Sequence, residues 1–301
     1  MKMAAHSPLK MVVAALCTLA LAGCAGFPTS ARHVSQAEPA APELAIQSWQ
    51  TDQGAKVLFV PSEALPMLDV RLVMHAGGAR DGDQPGLASL TSALIGEGAE
   101  GLSVDDIARG FEDRGASFST GSYQDMGVIS LRTLSRPAWR DDAVDLLARV
   151  IGQPTFPQDA LDRLRTRALQ GLKMEKQVPG PQVEKAFQRV VFGDHPYGHA
   201  DSGTLESLPG ITREDLRRFH ERYYAAGNTV IALVGDVSRE RAEAIAAELS
   251  AALPEGGPAP EMPRAENPAA RVTEHLTFPS NQTHILIGGQ ATWRGNPDHA
   301  A

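Results

Sequence analysis

Residues 84–99, Gln-Pro-Gly-Leu-Ala-Ser-Leu-Thr-Ser-Ala-Leu-Ile-Gly-Glu-Gly-Ala, constrain the fold more than any other stretch. Pro85 at one end and Gly96 and Gly98 at the other delimit a short apolar helix over 85–95. Just before it, Val70 and Leu72 alternate with Asp69 and Arg71 in a strand over 68–75. The link between them is Ala76-Gly77-Gly78-Ala79-Arg80-Asp81, so a strand turns through two glycines almost directly into a helix. Positions four apart on a helix lie one above the other, which puts Ser89 and Ala93 on one face with Ser92 beside them. Two hydroxyls and a methyl make neither a zinc ligand set nor a general base near neutral pH.

The flanking sequence reads as alternating strands and capped helices. Strand-like runs occupy 45–50 and 56–60, with Asp52-Gln53-Gly54 as the turn between them. Ser103 and Asp106 form a capping box for a helix whose Val104, Ile107, Ala108 and Phe111 fall at helical spacing. Gly115 closes it, and strands follow over 116–123 and 126–133. Ser135 is positioned to cap the next helix, with Pro137 in its first turn and Trp139, Ala143, Leu146, Leu147 and Val150 as its apolar stripe. A further helix spans 158–176. Thr212 with Asp215 caps a helix that turns Leu216, Phe219 and Tyr223 inward, and a buried strand over 229–234 leads to an amphipathic helix over 238–249.

Three of these motifs resemble the insulinase/pitrilysin (M16) metallopeptidases. There an Ala-Gly-(Ser/Gly)-x-x-(Glu/Asp) strand end runs into Gly-Leu-Ala-His-x-x-Glu-His on a helix; here Ala76 to Asp81 precedes Gly86-Leu87-Ala88. Ser89 and Ala93 stand at the family's two zinc-binding His positions and Ser92 at its Glu base. The family's third ligand, a Glu on a later helix, falls at Leu169 and Gln170, and the nearest carboxylate is Glu175. Phe192-Gly193-Asp194-His195-Pro196-Tyr197-Gly198 is similar to a family loop, in which Pro196 and Gly198 rule out helical stacking of His195 on His199. Ile211 to Asn228, ending in Val234-Gly235-Asp236-Val237, is similar to the segment that closes one half-domain. The resemblance covers about 45–252 and implies an α+β, M16/LuxS-like metallohydrolase half-domain, a mainly antiparallel sheet packed with helices.

The N-terminus carries its own message. Met1-Lys2 and Lys10 precede an apolar run over 11–22, too short to span a bilayer and typical of a secretory signal. It ends Leu21-Ala22-Gly23-Cys24, which resembles a bacterial lipobox and makes Cys24 the expected lipidation site. Signal loss removes Cys17 as well, so no disulfide is expected. A domain of this size must then rely on its core, for which 43% apolar residues suffice. Removing Lys2 and Lys10 takes the formal charge from −8 to −10, which argues against nucleic acid as a partner. The expected layout is a signal at 1–23, a flexible tether at 24–44, an M16 N-terminal domain at 45–252, a Pro/Gly-rich linker at 253–270, and the start of a truncated second M16 domain at 271–301, with strands at 272–277 and 284–288. With so few residues after the linker, the sequence is expected to be a fragment or a truncated reading frame.

No Gly-x-Ser-x-Gly elbow, Walker loop or Cys-x-x-Cys pair occurs. The carboxylate pairs Asp105-Asp106, Glu112-Asp113 and Asp141-Asp142 read as solvated helix faces. The resemblance implies a non-catalytic M16 lipoprotein without its own cofactor, paired with a zinc-bearing M16 subunit. It would bind extended or unfolded peptide at a sheet edge and be held by lipid on the periplasmic side of the outer membrane. Two alternatives stay open: an active zinc endopeptidase with an atypical site built from His75, His195 or His199 with Glu97, and a purely structural peptide-binding lipoprotein.

Overall fold

The computed structural model describes residues 45–292 and Asn296; the signal, Cys24 and the tether lie outside the described residues. Strand β1 (Gln47–Gln50) turns back on β2 (Lys56–Pro61), and β3 (Met67–Met74) leads to α1 (Leu87–Leu94), which continues as a 3-10 turn over Ile95–Glu97. A two-residue pair, β4 (Gly98–Ala99) and β5 (Leu102–Ser103), precedes α2 (Val104–Glu112). The chain continues through β6 (Ser117–Ser122), β7 (Gly127–Leu134), α3 (Pro137–Gly152), α4 (Gln158–Glu175) and α5 (Pro179–Phe192). It closes with α6 (Arg213–Tyr223), β8 (Thr229–Gly235) and α7 (Arg239–Ala252). Both capping boxes form: Ser103 with Asp106 starts α2, and Thr212 with Asp215 starts α6, each side chain accepting the other residue's backbone N–H.

β1, β2, β8, β3, β7 and β6 lie in that order in one six-stranded sheet. Only β2 and β8 pair in parallel; the other four contacts are antiparallel, as the resemblance implied. β8 comes last in the chain yet sits between β2 and β3, so the middle of the sheet waits for residue 235. Alternation puts Leu68, Val70, Leu72 and Met74 of β3 on the same buried face as Val57, Phe59, Ile129, Leu131, Ile231 and Leu233. Arg71 and the Asp69–Arg132 ion pair, at 2.7 Å, occupy the opposite, more open face.

Several local expectations fail for identifiable reasons. Ser135 does not cap α3; its hydroxyl donates to Asp236 at 2.8 Å and so ties two loops together, leaving Arg136 at the N-cap. Val104, Ala108 and Trp139 complete sequence stripes but are exposed, because only the narrower faces through Ile107, Phe111 and Ala143 meet the core. Residues 272–277 and 284–288 are not strands: no strand lies beside them among the described residues, and a strand-like run without a partner makes no ladder. Helix α5 was not anticipated, although Pro179 opens it and Val183, Ala186, Phe187 and Val190 recur at helical spacing. The proline-rich stretch after α7 is tied down rather than loose. Pro254, Gly256, Pro260 and Pro263 carbonyls accept from Ala226 N–H, Gly227 N–H, Arg80 and His195 at 2.7–3.0 Å, and the Ala259 N–H donates to Asn228 Oδ1 at 2.9 Å.

His220 of α6 is locked in the core. Its Nε2–H donates to the Ile151 carbonyl at 2.8 Å, and its ring stacks on Tyr224 at 5.2 Å and meets Phe156 edge-on at 5.9 Å. Burial pushes its pKa down to about 4, against a smaller upward pull from the Ile151 carbonyl. The unfolded chain therefore takes up a proton below pH 6.5 that the folded chain resists until about pH 4, and stability falls across that window as pH drops. The loss amounts to at most about 3 kcal/mol. Because the raised Asp81 carboxyl works in the opposite direction over the same range, the test is the difference between chains: on going from pH 7 to pH 4.5, His220→Gln should lose less stability in urea unfolding than the wild type, and the same pH dependence in both would contradict the assignment.

Candidate functional site

The junction between β3 and α1 is built by two glycines and one carboxylate. A Cβ on Gly77 would stand 2.2 Å from the Tyr123 carbonyl, because the turn lies directly on the β6–β7 hairpin. There the Gly78 and Ala79 N–H groups donate to the Tyr123 and Gln124 carbonyls at 2.9 and 2.8 Å. Gly86, at the N-cap of α1, has φ +94°, and any side chain there would also strike Leu208. Gly86 has no side chain with which to cap the helix, so Asp81 does the capping from five residues upstream. One carboxylate oxygen accepts the Gly86 N–H at 2.6 Å and the other the Ala88 N–H at 2.7 Å. Burial pushes the Asp81 carboxyl up to about 7, while these two N–H groups pull it down.

This anchoring aims one face of α1 outward. Ala93 is exposed and Ser89 half-buried on it, whereas Ser92 is 2% exposed and points into the core. The Ser92 side chain is directed at the buried Tyr224 hydroxyl without meeting good hydrogen-bond geometry, so that hydroxyl is left without a sound partner. Burial raises the Tyr224 pKa. Thr91 is satisfied by the Leu87 carbonyl at 2.8 Å, and the Ser92 carbonyl accepts the Thr120 hydroxyl of β6 at 2.8 Å. Helix α4 packs beside α1 and leaves Gln170 exposed.

A zinc ion does not fit this donor set. Ser89, Ser92, Ala93 and Gln170 supply two neutral hydroxyls, a methyl and an amide, and one of the hydroxyls faces away. The link between the end of α1 and α4 is instead an ion pair, Arg163 with Glu97. The other candidate ligands do not converge. His195 donates through Nε2 to the Pro263 carbonyl at 2.8 Å and accepts the Tyr197 N–H at Nδ1 at 3.1 Å, so both ring nitrogens are engaged. His75 sits exposed after β3, His199 ends a 3-10 turn, and Glu97 is held by Arg163. Among the described residues no three His, Cys, Asp or Glu side chains gather as a metal site.

Chemistry that motif reading passed over lies on α4. Asp162, Arg163, Thr166, Arg167 and Gln170 fall on one face of that helix and line an open hollow of about 520 Å³. Beside the glycine turn, the Tyr197 hydroxyl donates to Asp125, and its pKa is pushed up to about 12 by burial and then by that carboxylate.

Comparison with known proteins places the chain. Residues 57–204 match the family model described as insulinase (peptidase family M16), and 210–301 match the peptidase M16 inactive domain. The second match begins ahead of α6, so its first part is built into the sheet described above. The non-peptidase homolog YmxG of Helicobacter pylori is 26% identical over 182 residues, covering 60% of this chain and 42% of its own. A crystal structure of a peptidase M16 inactive domain from Pseudomonas fluorescens is 48% identical with a TM-score of 0.75, over 75% of this chain and 55% of that one. The first half of the periplasmic protease PqqL from Escherichia coli shares the fold, at 17% identity and a TM-score of 0.65, over 75% of this chain and 49% of that one. The chain thus spans about half the length of the proteins it matches. Two adjoining M16 models and a shared fold agree: the chain belongs to peptidase family M16.

Proposed function

We propose that this chain is a non-catalytic M16 lipoprotein that pairs with a zinc-bearing M16 subunit and supplies wall and peptide-binding surface to a proteolysis chamber. The observation that carries the reading is the outward face of α1 and α4, where Ser89, Ala93 and Gln170 replace the donors a zinc hydrolase needs and Ser92 is turned inward. Zinc then belongs to the partner alone. The likeness to a non-peptidase homolog points the same way. Lipid on Cys24 would hold the mature chain to the periplasmic side of the outer membrane, with 24–44 as the tether.

Peptide binding follows from the sheet. β6 is an edge strand beside α1, and its free side has no partner among the described residues. An extended peptide adding there gains main-chain hydrogen bonds without strict sequence demands, which suits unfolded substrates.

Two measurements test this. The mature chain alone should leave an unfolded peptide intact, and cleavage should appear or rise when a zinc-motif M16 chain from the same organism is added. Chelator-sensitive cleavage by the chain alone would overturn the non-catalytic reading. A peptide N-methylated at alternate residues cannot complete a ladder, so it should lose binding to the chain by at least about tenfold relative to its parent; unchanged affinity would exclude the sheet edge.

A further inference from the structure

Independently of the peptide-binding reading, we infer that the stretch after α7 is a two-stage strap: a root fixed on the core, and a latch made by Arg80 and His195 whose release lets residues 264–290 swing off α5. The root lies over residues 254–259. There the Ala226 and Gly227 N–H groups donate to the Pro254 and Gly256 carbonyls, both at 3.0 Å, and the Ala259 N–H donates to Asn228 Oδ1 at 2.9 Å. Asn228 is 4% exposed, and its own Nδ2 donates to the Tyr223 carbonyl at 2.7 Å. A Cβ on Gly227 would stand 2.5 Å from the Gly256 carbonyl, so strap and core meet backbone to backbone.

The latch is of another kind. Pro258, Pro260 and Pro263 have no N–H, so this part of the strap offers carbonyls to side chains instead of a ladder to a strand. Arg80 Nη2 donates to the Pro260 carbonyl at 2.7 Å and His195 Nε2 to the Pro263 carbonyl at 2.8 Å, both in solvent-open positions. Beyond the latch no helix or strand forms over 264–292, and residues 271–277 are exposed throughout. Arg189 pairs with Glu274 at 2.7 Å, and Gln290 Nε2 donates to the Val191 carbonyl at 3.0 Å, which ties this arm to α5 at its edges. Between them the chain leaves a space of about 950 Å³, with Val183, Phe187 and Val190 on one side and Leu276, Phe278 and Leu286 on the other. A close-packed interior has no such gap, and a segment with few buried apolar contacts and open hydrogen bonds belongs to the least stable part of a fold. Proline-rich chain is stiff, so freeing its far end turns the whole arm about the root. The strand-like runs at 272–277 and 284–288 travel with it.

Double electron–electron resonance reads the arm directly. Nitroxide labels go on Glu184→Cys of α5 and Asn281→Cys of the arm, both exposed positions, in the full mature chain carrying Cys24→Ser. The distance distribution should be single and narrow with the latch intact, and at least about twofold broader in Arg80→Ala/His195→Ala. Arg80→Lys, which keeps a donor for the Pro260 carbonyl, should stay near the parent. Two variants loosen the root instead: Asn228→Ala, and the milder Gly256→Ala, whose Cβ would press on Ala225 at 2.8 Å. With the latch intact, Gly256→Ala should keep the narrow distribution, and so should Asn228→Ala if it folds. A parent distribution already broad, no change in the latch variant, or equal broadening in Gly256→Ala would overturn the inference. Loss of the whole fold in the latch variant, seen by circular dichroism, would also overturn it, because the latch would then belong to the core.

Discussion

The buried Asp81 carboxylate fastens the end of β3 to the first turn of α1, and the orientation of everything on α1 depends on it. Helix starts leave backbone N–H groups unpaired, and here Gly86 can supply none of the capping itself. The carboxylate takes two of them at once, from a turn pressed by Gly77 against the β6–β7 hairpin. Sheet, turn and helix are thereby held in one geometry. The same geometry turns Ser92 into the core and leaves Ser89 and Ala93 facing out beside the edge strand.

What that outward face can do follows from its donors. Two helices side by side are the arrangement that lets an M16 peptidase hold zinc, yet α1 and α4 meet here through a carboxylate and a guanidinium. Arg163 is 54% exposed, so the pair adds little to stability, on the order of 1 kcal/mol or less. Its consequence is chemical: Arg163 neutralises Glu97, the acid in the 3-10 turn that continues α1. The unpaired edge of β6 beside α1 is where the proposed function would have extended chain add.

Sequence patterns disclosed whatever local chemistry enforces. Both capping boxes, the β3 alternation, the two hairpin strands and the helix after Ser238 are set by neighbours within a few residues, and all form. The residue types at the four motif positions, Ser89, Ser92, Ala93 and Gln170, are read from the sequence without the fold. Long-range choices were not. The Ser135 hydroxyl donates to the Asp236 carboxylate 101 residues away, and Asp81 caps from outside the helix it serves. Pro179-Gly180-Pro181 masked a helix start, and residues 284–288 looked like a strand because a short apolar run says nothing of a partner. Composition marked the stretch after α7 as a linker but could not show that Arg80, His195 and Asn228 hold it from three separate elements.

The most direct test of the account is the zinc content of the purified mature chain after equilibration with excess zinc and removal of free metal. The account predicts no more zinc than a protein without a metal site retains under the same treatment. One zinc per chain, released by substitution on α1 or α4, would contradict it.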